Sequence, residues 1–316
     1  MMFDVVALGE LLIDFASRSA DAKGYPMMQA LPGGAPANFL AALTKYGKST
    51  AFLGKVGDDT FGHLLVGTVK DAGVETRGIV VDPTVFTTLA FVTFDASGDR
   101  SFSFARKPGA DTRLSWDEVD KQLIDEAKVF HFGTLSLTDE PVRTTTQKCV
   151  AYAKEQGKLI TCDPNLRKPL WRSEEEAKEQ ILWSLQQADV VKISDDEVDF
   201  LWSCTPEEGA DKLLNEFGVS LAMVTLSPKG CLLKTKYAAC QVSSPKVSPV
   251  DTTGAGDIFG GSAVYRLLEL NKPFDEPTAE DLRFIGSYAS TAASLSTEVP
   301  GGIPSIPEKN AVLKAM

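Results

Sequence analysis

Short apolar runs alternate along the chain with longer stretches whose apolar positions recur every three or four residues, the pattern of βαβ units around a mostly parallel sheet. Val5-Val6-Ala7-Leu8, Ala51-Phe52-Leu53, Val129-Phe130-His131-Phe132, Leu159-Ile160-Thr161-Cys162, Val190-Val191-Lys192-Ile193 and Leu221-Ala222-Met223-Val224 predict central strands. Strands covered on both faces are apolar without alternation. A helix is predicted after each. In one, Pro36 suits the first turn, Phe39, Leu43 and Tyr46 share a face, and Gly47 ends the element. Another runs from about Gly256 to Leu270, with Phe259, Ala263, Leu267 and Leu270 on one stripe.

Residues 87–104 break the rhythm. Two alternating runs, Thr88 to Phe94 and Arg100 to Phe104, flank Asp95-Ala96-Ser97-Gly98-Asp99 and predict a hairpin. Leu12 to Phe15 and Met28 to Leu31 would extend it into a small separate sheet; an antiparallel edge of the main sheet fits the pattern equally well. As a separate sheet it would serve as a lid over a cleft. The expected organisation is one α/β domain over residues 1–316, with a discontinuous β lid from about 11–32 and 86–106.

The chain has 316 residues, 43% of them hydrophobic, and a net charge of −11. That balance argues against a nucleic-acid partner, which needs a basic face. A single small nucleotide is still allowed, since backbone amides, a metal and a few local cations can hold it. Cys149, Cys162, Cys204, Cys231 and Cys240 are odd in number and without metal-ligand spacing, which predicts reduced thiols and a cytoplasmic protein. No leader pattern follows Met1, and no apolar window approaches the roughly 18 residues of a membrane span.

The densest chemistry lies in Asp251-Thr252-Thr253-Gly254-Ala255-Gly256-Asp257, at the entrance to the striped helix. Gly254 and Gly256 let the backbone turn and bring N–H groups to an anion at the positive helix end. Asp257, in the first turn, would accept a proton from an attacking hydroxyl. Read from these residues alone, an Asp that merely caps the helix is the simpler account.

This segment matches the C-terminal signature of the PfkB carbohydrate kinases, D-T-x-G-A-G-D, at every fixed position. Gly33-Gly34-Ala35-Pro36-Ala37-Asn38 is similar to the N-terminal signature, in a form that resembles fructokinases more than ribokinases. Gly9-Glu10-Leu11-Leu12-Ile13-Asp14, Gly54-Lys55-Val56-Gly57-Asp58-Asp59 and Asp163-Pro164-Asn165-Leu166-Arg167 follow the family order across nearly the whole chain.

The resemblance implies a ribokinase-like mostly parallel sheet with helices on both faces, a small β-sheet lid, and ATP-dependent phosphorylation of a small sugar, fructose first. It implies that Asp257 is the general base, that the backbone of Gly254, Ala255 and Gly256 forms an anion hole, and that Arg167 contacts the transferring phosphate. Asp14, Gly33, Gly34 and Asn38 would hold the sugar, together with Arg106 brought from the lid. Lys192, Glu197, Thr225 and Gly230 would serve the nucleotide, with Mg²⁺ organised by Glu197 through water. The resemblance also allows K⁺ near Asp251, Thr253 and Gly302, and a homodimer through the lid.

Two departures stand out. Ser194 replaces the asparagine of the family's N-x-x-E motif, and Ser227 replaces the first glycine of its T-x-G-x-x-G loop. Ala289, Ala292 and Ala293 would leave room for an adenine, or for close helix packing. Gly47-Lys48-Ser49 lacks the earlier glycine and the strand-to-helix context of a Walker-type loop. His63 and His131 have no metal spacing, and Trp183, Phe200 and Trp202 read as core. Kinases for 2-keto-3-deoxygluconate, ribose or a nucleoside remain alternatives, as does a catalytically silent fructokinase-like binding protein.

Overall fold

The computed structural model describes residues 2–94 and 100–316. Thirteen strands among them, β1 to β13 in chain order, form two sheets. The large sheet holds β1 (Phe3–Leu8), β4 (Thr50–Gly57), β5 (Glu75–Asp82), β8 (Ala127–Gly133), β9 (Leu159–Asp163), β10 (Val190–Ser194), β11 (Leu221–Thr225), β12 (Cys231–Lys234) and β13 (Ala239–Val242). The small sheet holds β2 (Leu12–Ala20), β3 (Pro26–Gly33), β6 (Leu89–Phe94) and β7 (Arg100–Ala105).

The order of the large sheet is β13-β12-β11-β10-β9-β8-β1-β4-β5. From β11 to β5 every pair is parallel; β12 and β13 are antiparallel additions. All six apolar runs read from sequence are central parallel strands. Side chains alternate between faces: Val5 and Ala7 join one apolar cluster with Phe39, Leu40 and Phe259, while Val6 and Leu8 join another with Phe130, Ile181 and Leu213. Burial on both faces is why these strands carry no polar alternation.

The small sheet is separate, in the order β3-β2-β6-β7, and β6 and β7 form the expected antiparallel hairpin. The turn read at residues 95–99 lies outside the described residues. Phe15 anchors the sheet by stacking on Phe91 and meeting Phe61 edge-on, with centroids 5.3 and 5.6 Å away. Leu12, Asp14, Val92 and Phe104 of this sheet share a cleft with Ser194 and Thr225, the C-terminal residues of β10 and β11, where open α/β sheets place their ligands. Among the described residues no helix is long and apolar enough to cross a membrane, and all five cysteines are unpaired thiols.

Candidate active site

One cleft of about 1230 Å³ runs between the two sheets, from Glu10, Asp14 and Gly34 at one end to Gly230, Ser290 and Thr297 at the other. At its centre begins the helix Ala255–Leu270, close to the boundary read from sequence. The turn before it is fixed by Asp251, whose carboxylate accepts from Thr253 N (3.0 Å), Thr253 Oγ1 (2.7 Å) and Gly301 N (3.2 Å). Gly254 then takes φ 77°, a left-handed conformation natural to glycine, and a side chain there would also strike Gly302 Cα at 2.9 Å. The helix's first amides have no intrahelical partner, and Gly254 to Asp257 line the cleft, the setting of an anion site. The Ala255 amide is the exception within the expected trio, since it closes a turn on the Thr252 carbonyl at 3.3 Å.

Asp257 lies buried in the first turn and accepts a hydrogen bond from Asn38 Nδ2 at 2.9 Å. Burial raises its pKa, while the Asn38 bond and the charges of Lys192 and Arg167 hold it down. The helix Ala35–Lys45 delivers Asn38 from the other side of the cleft.

Beneath the glycine turn sits a buried ion pair, Lys192 Nζ on Asp163 Oδ2 at 3.0 Å. Lys192 also lies where a side chain at Gly256 would meet it, 3.0 Å from that position. Desolvation pushes Asp163 up to about 7 against the pull of Lys192. Asp163 and Lys192 come from adjacent parallel strands, β9 and β10, so the sheet itself brings them together. Arg167 lines the cleft just beyond β9, and its charge reaches both Asp14 and Asp257.

Ser194 caps the next helix, and Glu197 closes a capping box on it. The Glu197 carboxylate accepts from Leu166 N (2.7 Å), Ser194 N (2.8 Å) and Ser194 Oγ (3.0 Å) while lining the cleft. The serine that stands in place of the family's asparagine thus supplies the cap with its hydroxyl.

At the other end, Asp14 on β2 is desolvated and pushed up to about 7. Gly33 does not line the cleft; its missing side chain makes room for the Asp14 carboxylate. Gly34 does line it. Glu10, quoted in the sequence motif without a role, is buried here and accepts from Ala35 N at 2.7 Å, which fixes the entry to the Asn38 helix.

Arg106 follows directly on β7. It is buried outside the main cleft, with its guanidinium on Asp111 Oδ2 (2.8 Å), Thr138 Oγ1 (2.6 Å) and the Leu135 carbonyl (2.8 Å). Five donors in a fixed fork suit such a multidentate anchor; it ties the end of β7 to the turn after β8, and its charge still reaches Glu10 at the sugar end.

On the far side, Thr225, Ser227 and Gly230 line the cleft with Ser290, Ala293, Ser294 and Thr297. Ser227 takes φ 53°, a left-handed turn at the position where the family's loop carries glycine. Of the three alanines, only Ala293 faces the cleft; Ala289 and Ala292 are core. Phe200, expected in the core, also reaches the cleft wall, with Lys168 and Lys178 over its ring at 4.8 and 5.0 Å.

The metal expectations fare unequally. No cluster of three or more His, Cys, Asp or Glu able to hold a metal occurs among the described residues. Glu197 in the cleft fits a hydrated Mg²⁺, which keeps its waters and takes few protein carboxylates. The Gly302 carbonyl fits K⁺ poorly, since it already accepts from Ser305 N (3.0 Å) and Ser305 Oγ (2.7 Å). The two histidines are structural: His131 stacks on Phe39 and bonds Thr161 Oγ1, and His63 bonds Asp58.

Residues 2–309 match the pfkB family carbohydrate kinase profile. Probable fructokinase-4 of Arabidopsis thaliana is 42% identical over 323 residues, spanning 98% of this chain and 95% of the relative. Fructokinase-2 of Solanum lycopersicum is 41% identical, spanning 98% and 94%. The crystal structure of fructokinase from Vibrio cholerae O395 in a fructose-, ADP- and calcium-bound form superposes with a TM-score of 0.88 at 31% identity, over 99% of both chains. With the profile running through both sheets and the cleft between them, the chain belongs to the pfkB family of carbohydrate kinases.

Proposed function

We propose that the protein transfers the γ-phosphoryl group of ATP to the 6-hydroxyl of fructose, with Asp257 as general base. The observation that carries this reading is the buried Asp257 carboxylate at the helix N-terminus, midway along one cleft with room for a sugar at the Asp14 end and a nucleotide at the Gly230 end. Fructose is favoured over other sugars by the names of the relatives and by the ligands of the V. cholerae structure.

In the reaction, the sugar hydroxyl gives its proton to Asp257 as its oxygen bonds the γ-phosphorus, and the bond from phosphorus to the bridging oxygen breaks to release ADP. The amides at the start of the helix, with Arg167 and Lys192, stabilise the charge that develops on the phosphoryl oxygens. Asp14, Gly34 and Asn38 orient the sugar. Mg²⁺, near Glu197, would neutralise phosphate charge when bound.

A panel of sugars tests the assignment. Fructose is expected to give the highest kcat/KM, and NMR of the product should place the phosphate on O6. A clear preference for ribose or 2-keto-3-deoxygluconate would reassign the substrate within the family.

We also assign the small sheet as a lid. Hydrogen exchange in β2 and β6 is expected to slow when fructose and a nucleotide bind; protection indifferent to sugar would count against closure. Tyr25, Met27 and Phe86 expose apolar surface along this sheet, a margin suited to pairing with a second copy. Light scattering is expected to report about twice the 34.0 kDa chain mass.

A further inference from the structure

We infer that Asn38 is a positioning residue for the catalytic base, holding the Asp257 carboxylate ionised and aimed at the sugar hydroxyl. This rests on the reading of Asp257 as that base.

Three observations converge on the Asn38 amide. First, its Nδ2 donates to Asp257 Oδ2 at 2.9 Å across two helices far apart in sequence. An ionised carboxylate only accepts, so the nitrogen must be the end that faces it. Second, the amide lies in a slot between two glycines. A side chain at Gly302 would collide with Oδ1, Cγ and Nδ2 of Asn38, and one at Gly254 would come within 3.1 Å of Nδ2. Gly302 is therefore required for Asn38, a role its backbone carbonyl did not suggest. Third, Asn38 Oδ1 is buried with no hydrogen-bond partner among the described residues. A purely structural amide would have both ends satisfied. This one leaves its acceptor orphaned and commits its donor to the base.

The surroundings leave that donor a distinct task. Lys192 on β10 and Arg167 beyond β9 favour the ionised carboxylate of Asp257, while the Asp14 charge from β2 and the Asp163 charge from β9 oppose it. Asn38 adds a neutral, directional bond that fixes one carboxylate oxygen and leaves the other for the substrate proton. A hydrogen bond to the charged form lowers a pKa. Its loss must raise that of Asp257, so the base is protonated at a higher pH and the acid limb of the rate moves upward.

The test is the single-turnover rate of sugar phosphate formation at saturating ATP, Mg²⁺ and fructose across pH, for wild type, Asn38→Ala, Asn38→Asp and Asp257→Asn. Asn38→Ala is expected to move the acid limb up by about one to two pH units, the worth of one hydrogen bond to a charged group. Asn38→Asp, nearly isosteric, should move it further because it adds a like charge; if the alanine variant fails to fold, the aspartate variant decides. An unmoved limb, with only fructose affinity weakened, would overturn the inference and leave Asn38 with its sugar contact alone. Normal turnover in Asp257→Asn would overturn the base reading as well, so the two failures are separable.

Discussion

Asp257→Asn is expected to lower kcat by roughly 10²–10⁴-fold, the usual contribution of a general base. Fructose and ATP dissociation constants should change far less. The substitution keeps the size of the side chain and its place in the first helical turn, and removes only the proton acceptor. Affinities should be measured directly, because KM equals a dissociation constant only when chemistry is slow relative to release. Were Asp257 merely a helix cap, Asn would replace it with near-normal turnover, since Asn and Asp cap about equally well. The geometry argues against that role: the carboxylate accepts a hydrogen bond from Asn38 across the cleft, and the N-cap position belongs to Gly254, with no side-chain cap. A folded variant that retains more than about a tenth of wild-type kcat would refute the assignment.

The second large effect is on stability. Lys192→Met should destabilise the fold by about 3–5 kcal/mol at neutral pH, because removing one partner of a buried ion pair leaves the other uncompensated. Asp163 and Lys192 are both buried and 3.0 Å apart. The pH dependence has a definite sign. Asp163 in the folded chain is already pushed up to about 7, above its unfolded value, and loss of the cation pushes it higher. The folded state then binds a proton more tightly than the unfolded state, so stability falls as pH rises toward the folded pKa. The deficit relative to wild type should be smaller near pH 5 than near pH 8 in urea titrations. Asp163→Asn combined with Lys192→Met should recover most of the stability while turnover stays low, because the cation beneath the glycine turn is still missing. Equal deficits at both pH values would contradict this account of the pair.

Much of the fold was legible because the signals are local. The six central strands are apolar on both faces, and the Asp257 helix has a stripe and a glycine entrance, so both follow from short stretches of sequence. The strands that escaped notice, β5, β12 and β13, are edge or short elements: β5 mixes Glu75, Thr76 and Arg77 with its apolar residues, and β12 and β13 have four residues each. The separate small sheet was one of two equal readings, because β2 pairs β6 in parallel across a long sequence gap that periodicity does not encode.

The same division holds at the site. Residues inside motifs, such as Asp257, Gly254, Asp14 and Asn38, are found along the cleft. Relations between motifs were invisible: that Asn38 bonds Asp257, that Asp163 pairs with Lys192, and that Glu10 holds the start of the Asn38 helix all depend on which strands and helices become neighbours. Arg106 makes the same point: its bonds to Asp111 and Thr138, which hold the guanidinium, depend on the fold and not on its own motif.

The most direct test of the central claim is phosphorus NMR of purified protein with ATP, Mg²⁺ and fructose, followed to completion. The account predicts ADP and fructose 6-phosphate formed in equal amounts, with no ADP release when fructose is withheld. ADP released at the same rate with and without the sugar, or no ADP at all, would contradict it.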